Sequence, residues 1–564
     1  MKIPKLLFLA VAFFIFGCKK ELNNKIDYNI SPISIEGKPM LKVNVTSNAE
    51  LDGETTFLFF NDSWGEENLH NTIQSIKPLN IDSEVIVVKD SGWITIKHPK
   101  NIKTVNFEYI IKQDTEGDLT TNMIYRPVIQ PAYFHVFAHS LFMIPLEYSN
   151  NKETTFDATL NWEKFPENYK LQNSFGTNER IQNLKNITES EFINSVFIGG
   201  DYRTYQLNIN NNTVAFSTRG SWKVFKDSTM LQMLKKTITA QRDFWNDHSQ
   251  QYFSVNLTPT IQEQGSSFQG SGLTNSFDCS ASNNEHLQVE GLVYLFNHEL
   301  LHNWLGHLIK NDNEEEQYWF SEGFTDYYTS KNISKFKIYD LDKSYYINKI
   351  NEIIRLLYTS PVKESPNSDI NYDNFWQSRD YEKLPYRRGA LFAFYLDHKI
   401  KKDSQGKQSL DNLMLAIKED AMYSNQKITH NYFVNKANGF LNDNIKPFFN
   451  KHIEEGKLFD LKTIFTDFKF EYDPSCSVFD LGFEFSEDKK SIKSVSIASK
   501  AYKAGLRQGD MVRSRSIYFG STEHEAKFTI VRNGKEIDVK YYPVREANIP
   551  QLKNTKHNIE LLTF

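Results

Sequence analysis

The chain has 564 residues, of which 40% are hydrophobic, 14% aromatic and 24% charged. At about 100–200 residues per domain this is material for three or four domains with sizeable cores, and 25 Gly and 17 Pro exclude collagen-like and low-complexity chains. Lys+Arg of 65 against Asp+Glu of 70 gives a net charge of −5, so no basic field exists to hold nucleic acid; a mean hydropathy of −0.53 excludes a polytopic membrane protein.

In chain order, residues 1–18 read as an address. Lys2 and Lys5 precede an unbroken apolar run, Leu6 to Phe16, that is shorter than the roughly 17–25 residues of a bilayer crossing. It ends in Ile15-Phe16-Gly17-Cys18, which resembles the lipobox of bacterial lipoproteins. The resemblance implies a lipidated Cys18, a short tether over 19–25, and an exported protein that faces the periplasm or cell surface and meets the membrane only through its anchor. An ordinary secretory signal is the alternative. Cys279 and Cys476 are read as free structural thiols, because two cysteines so far apart carry no disulfide pattern.

Residues 26–205 read as an N-terminal β-sandwich. Alternating runs such as Leu41–Val45, Glu84–Val88 and Trp93–Lys97 are separated by Asn/Asp/Gly/Ser turns. From Ser228, an expected N-cap, the period becomes helical, with Met230, Leu231, Met233, Leu234 and Ile238 on one stripe. Helices are expected to dominate to about residue 456, including 290–310, 321–331 and 389–401. Residues 206–470 are taken as one mostly helical domain, and 476–550 as a small β-rich module.

The stretch with chemistry is Asn297-His298-Glu299-Leu300-Leu301-His302. Histidines at i and i+4 share a helix face and can reach one Zn²⁺, and the glutamate beside the first can reach a water at the metal. With 14 His in 564 residues, chance produces this pattern about 0.02 times per chain. A third ligand is found in Trp319-Phe320-Ser321-Glu322-Gly323-Phe324-Thr325-Asp326: Glu322 as metal ligand, and Asp326, one turn on, as acceptor for the other ring N–H of a metal histidine. One Zn²⁺ per chain follows.

HELLHNW followed by WFSEGFTDYY resembles the gluzincin zinc peptidases. Leu300 and Trp304 are similar to the family of membrane alanyl aminopeptidases. Tyr386–Ile400 and Gly406–Met414 are similar to the glycyl aminopeptidase family, which carries a C-terminal PDZ domain. The resemblance covers roughly 265–520. It implies a thermolysin-like catalytic domain and a Tyr386 that stabilises the oxyanion, with Tyr381 a second candidate; Tyr386 is expected just before a helix start, with Gly389 allowing close approach. It also implies a Gly-rich edge strand, Gly270 to Phe277, along which Gly272, Leu273 and Thr274 meet the substrate backbone. Thr274 stands where the family has the glutamate that holds a free amino group, so relaxed dependence on a free N-terminus is expected, as weak aminopeptidase activity or cleavage inside short peptides, unless another acid substitutes; Glu263, Asp278 and Glu285 are nearest in sequence.

Leu481-Gly482-Phe483 with Ala504-Gly505-Leu506-Arg507-Gln508-Gly509-Asp510 resembles a bacterial PDZ domain, whose turn presents N–H groups to a peptide carboxylate; a ligand-free lid or spacer is the alternative. The expected protein is thus a multidomain α+β zinc metallopeptidase acting on peptide or protein substrates. Two rivals stay open: a catalytically inactive protein that binds peptides through the PDZ module, and a zinc hydrolase of non-peptide substrates.

Overall fold

The computed structural model describes residues 24–120, 124–149, 152–262 and 265–564; the lipobox and most of the tether lie outside them. The N-terminal region is β-rich. A six-stranded sheet runs in the order Ile181–Thr188, Thr155–Trp162, Lys25–Ile35, Lys38–Asn48, Thr104–Lys112, Ile73–Pro78, beside sheets of four and five strands. Side chains of Thr104–Lys112 alternate between buried and half-exposed, as one packed and one solvated face require. Tyr28, Val43, Phe57, Ile94 and Phe107 belong to the core shared by these sheets.

The central sheet begins earlier than the 205/206 division expected from sequence, because Arg203–Ile209 is a single strand. Its order is Arg203–Ile209, Asn212–Thr218, Tyr252–Thr260, Ser276–Ser282, Phe268–Leu273, which puts Phe268–Leu273 at an edge. The helix Asp227–Trp245, capped at Lys226 rather than Ser228, forms the crossover between the parallel strands Asn212–Thr218 and Tyr252–Thr260.

The helical half is built on an aromatic core. Trp319 is fully buried, with the rings of Phe324, Phe392, Phe433 and Phe449 edge-on to it at 5.0–5.9 Å. Two helices cross here, Gly323–Lys335 and Arg379–Asp403, and they touch through glycines. A Cβ at Gly323 would stand 2.5 Å from the Gly389 Cα. Asp397 fixes the far end of the crossing. It is buried and accepts from Tyr327 Oη (2.7 Å), Lys401 Nζ (2.7 Å) and the Leu410 N–H (2.9 Å).

Residues 476–547 fold as short paired strands around Ile492, Leu506, Phe528, Ile530 and Val539, with a four-residue helix at Lys500–Lys503. The chain then returns to the helical core. Gln551–Leu552 pairs with Tyr472–Asp473, and the Asn351 side chain bonds both the N–H and the carbonyl of Leu552 at 2.8 Å. Cys279 and Cys476 are free. Among the described residues no helix is long and apolar enough to cross a membrane.

Candidate metal centre and catalytic cleft

The helix Val289–Leu301 buries Leu292, Val293, Phe296 and Leu300 in the core of the central sheet. Its other face, with Tyr294, His298 and Glu299, is left toward the cleft. The helix is shorter than the expected 290–310. His302 caps it while still in right-handed helical geometry (φ −63, ψ −14), which keeps the one-turn spacing. The chain then turns through Gly306 (φ +112), and Leu305 bridges Ile309. This turn aims the Leu305 carbonyl back at His302 Nδ1, 2.9 Å away.

Glu322 sits at the junction of helices Glu314–Ser321 and Gly323–Lys335. The ligating atoms of His298, His302 and Glu322 lie within 4.8 Å of one another. His302 Nδ1 must donate to Leu305, because a carbonyl only accepts, and His298 Nδ1 faces Asp326 Oδ1 at 2.9 Å. Both Nε2 lone pairs therefore point inward, 3.2 Å apart. Glu322 Oε2 joins them at 3.3 and 3.6 Å, buried and without a hydrogen-bond partner. Three inward acceptors repel one another unless a cation stands among them. Two imidazoles and a carboxylate, oriented from behind, suit Zn²⁺ with a position left open for substrate.

The titrations express the same demand for positive charge. Burial works to lower His298, yet Asp326, then Glu322, pushes it up to about 10. Burial works to raise Glu322, yet His302 and His298 hold it down at about 2. Glu299 is different: burial dominates and raises it, although His298, His302 and Lys383 pull the other way. It makes no ion pair among the described residues and faces the cleft.

Tyr386 is not ahead of a helix start, as expected, but inside the helix Arg379–Asp403, with Pro385 before it. The proline is near enough to the N-terminus that losing one N–H leaves the helix intact. The Tyr386 ring stacks on His298 (6.0 Å, 10°), and its hydroxyl faces Glu322. Lys383 Nζ lies 4.2 Å from the ring centroid. Burial, then Glu322, holds the phenol well above its usual pKa, so it stays a donor. His298, Glu299, Asp326 and Tyr386 line one cleft of about 480 Å³ with Phe268 and Arg387. Tyr381 does not line it.

Nor do Gly272, Leu273 and Thr274. Leu273 is buried among Tyr133, Phe137 and Tyr202 of the N-terminal region, and Thr274 lies in the hairpin turn, its N–H bonded to the Asn194 carbonyl at 2.7 Å. Leu273 is thus packed against the N-terminal region, while Gly272 is half-exposed with open space at its Cβ position; the other end of the strand, at the exposed Phe268, lines the cleft. Near the Leu273 end the Tyr125 hydroxyl meets Ser271 Oγ at 2.7 Å. Asp278, opposite Ser271 in register, bonds His135 Nε2 through Oδ2 at 2.8 Å while its buried Oδ1 has no partner. Burial is the main cause that raises Tyr125, and Asp278 and Glu299 add to it, which ties this corner electrostatically to the cleft. Tyr125 and His135 gave no local signal in the sequence, since they arrive from a turn and a strand more than 100 residues upstream. Of the other acids considered, Glu285 is exposed beside Lys223 and His286, and Glu263 lies outside the described residues.

In the Leu481-Gly482-Phe483 turn two backbone groups are bonded within the chain. The Gly482 N–H donates to Asp480 Oδ1 (2.7 Å) and Tyr541 Oη donates to the Leu481 carbonyl (2.7 Å). Gly482 has φ +73, and a Cβ there would stand 2.4 Å from nothing smaller than the Ser499 side chain, so the turn packs on the start of the short helix.

A histidine pair and glutamate that could hold one metal ion thus stand beside an acid and a phenol that line the same cleft. Residues 275–452 match the model of the peptidase family M1 domain, which implies a zinc cofactor. The fold is similar to that of an aminopeptidase N family protein from Idiomarina loihiensis, at 15% identity and a TM-score of 0.71, covering 95% of this chain and 100% of that one. An M1 zinc metallopeptidase from Deinococcus radiodurans aligns at 12% identity over 78% of this chain and 95% of its own, with a TM-score of 0.48. No curated protein sequence matches the chain.

Proposed function

We propose that the protein is a zinc-dependent peptidase of aminopeptidase type, with Zn²⁺ held by His298, His302 and Glu322. The observation that carries this is that Glu299 and Tyr386 line one cleft together with His298, whose ligating atom lies within 4.8 Å of those of His302 and Glu322. When bound, Zn²⁺ supplies Lewis acidity, polarising the scissile carbonyl and acidifying a water. Glu299, raised by burial, takes the proton of the attacking water and returns it to the leaving amine. Tyr386 donates its hydroxyl hydrogen to the oxyanion, a stabilisation that needs no change in the residue's own charge. Asp326 holds the His298 ring in the tautomer that presents Nε2.

The substrate's amino terminus is placed toward the Leu273 end of the edge strand, beyond the cleft wall at Phe268. Thr274 offers no charge there, and Asp278, buried behind the edge strand with Oδ1 unpartnered, supplies negative charge to an α-ammonium through its field rather than by contact. A mass-spectrometric digest of a peptide library, run with zinc and with chelator, tests the class. Stepwise loss of N-terminal residues that stops with chelator is expected; no cleavage in either arm would leave the inactive or non-peptide alternatives. Comparing free with N-acetylated peptides then tests the anchoring, and equal cleavage of both would remove Asp278 from it.

The similarity of Tyr386–Ile400 to glycyl aminopeptidases, and of 476–550 to a PDZ domain, supports an accessory peptide-binding module, and the lipobox at Cys18 supports a lipid-anchored, exported protein. Partition of a Cys18→Ser chain out of the membrane fraction tests the anchor; normal processing with unchanged retention would contradict it.

A further inference from the structure

Beyond the metal centre the open part of the cleft is lined by four cations, Lys349, Arg379, Lys383 and Arg387. Three of them stand at i, i+4 and i+8 on the Arg379–Asp403 helix, and so form one row on one face. Lys349 pairs with Glu352, which also lines the cleft, at 2.8 Å, and Lys383 with its neighbour Glu382 at 2.6 Å. Among the described residues Arg379 and Arg387 form no ion pair. Arg387 is partly buried, and its guanidinium donates to the Leu356 carbonyl at 3.3 Å. Asp380, Asp326 and Glu382 act on it only from a distance, and a guanidinium taken partly out of water without a directly paired countercharge is costly. The remaining acids of this cleft, Glu299 and Asp326, are engaged at the metal centre. The row thus offers charge-assisted donors to an anion that the chain itself does not provide.

The row also has a direction and a length. The edge strand is packed against the N-terminal region at Leu273 and open to the cleft at Phe268, so a peptide whose amino terminus lies toward Leu273 leaves past the cations with its carboxyl side. Arg387 is next to Tyr386, level with the scissile bond. Arg379 lies seven residues before Tyr386, about 10 Å along the axis at about 1.5 Å per residue. An extended peptide covers that in about three residues.

We propose that Arg379, Lys383 and Arg387 bind a carboxylate on the carboxyl side of the cut, so that the preferred substrates are short peptides carrying one within about three residues of the scissile bond. This rests on the peptidase assignment above. The carboxylate is either the chain terminus or an Asp/Glu side chain, and the test separates the two.

Three zinc-matched peptide sets of the same core sequence are compared: a tripeptide with a free C-terminus, its C-terminal amide, and an amide with Glu two residues beyond the cut. Turnover is measured with the wild-type chain, and binding by calorimetry with the Glu299→Gln chain, which does not depend on turnover. The free acid is expected to have a KM, and a dissociation constant, about tenfold lower than the neutral amide, with kcat changed less. Arg387→Gln and Arg379→Gln should each shrink that ratio toward one, and Arg387→Lys should keep part of it, which a merely structural role would not produce. Recovery of affinity by the Glu-bearing amide assigns the site to side-chain carboxylates; its absence assigns it to the chain terminus. Equal binding of acid and neutral amide, or no binding of either, overturns the proposal. Preference in binding without cleavage of any peptide would instead overturn the peptidase assignment and leave the carboxylate site standing.

Discussion

Asp326 carries two donors on one oxygen, His298 Nδ1 at 2.9 Å and Tyr294 Oη at 2.6 Å. Removing it frees the imidazole to rotate and to change tautomer, and leaves a buried phenol unpaired. Asp326→Ala should weaken zinc binding about 10–100-fold and cost about 1–3 kcal/mol of stability through Tyr294. Asp326→Asn, which keeps an acceptor oxygen, should lose less. Chelator competition measures the first effect and thermal unfolding the second. Zinc affinity unchanged in the alanine variant would mean that the Leu305 carbonyl and the ligand set orient the site without this carboxylate.

At the scale of elements, the site depends on how closely two helices approach. Glu322 enters the Gly323–Lys335 helix, Tyr386 belongs to Arg379–Asp403, and Gly323 and Gly389 are where the two backbones meet. A Cβ at Gly389 would run into the Trp319 carbonyl, which is backbone and cannot swing away. Gly389→Ala should therefore push the helices apart, at about 1–3 kcal/mol for overpacking, and lower kcat by misplacing Tyr386 against the metal ligands. A variant with wild-type unfolding temperature and kcat would contradict this account of the crossing. The same scale explains what could be read from the sequence. Histidines four apart and a carboxylate with an acid one turn on are local patterns, so they were legible in HELLH and in the run around Glu322. The length of the histidine helix was not, because the turn after His302 is made by Gly306 and a bridge to Ile309. The placement of Thr274 was not either. A Gly-rich edge strand is visible in sequence, but which of its ends is packed over depends on Tyr133, Phe137 and Asn194 from another region. The row of cations spaced by four was visible yet bland, since charges on a helix are usually a solvated face; only its position beside Tyr386 gives it meaning.

For the whole molecule, the last residues are part of the helical core rather than a tail after the β module. Ile549, Leu552 and Leu562 are buried in it, and Asn351 relies on Leu552 for two hydrogen bonds. Burial of such side chains is worth about 1.5–3 kcal/mol each, and total stabilities are about 5–15 kcal/mol. A chain ending at residue 548 should therefore unfold at markedly lower temperature or fail to accumulate as folded protein; an unchanged melting temperature would show that the C-terminal return is dispensable. The N-terminal region is equally built in, because it packs against the edge strand at Leu273, the end toward which the substrate's amino terminus is to lie. The central claim is that one zinc and one carboxylate base carry out hydrolysis, and it is tested most directly by measuring zinc content and peptide turnover of the wild-type and Glu299→Gln chains side by side. The account predicts about one zinc per chain in both, with turnover lost by several orders of magnitude only in the variant. Wild-type turnover in Glu299→Gln, or a wild-type chain that hydrolyses peptides with no zinc bound, would contradict it.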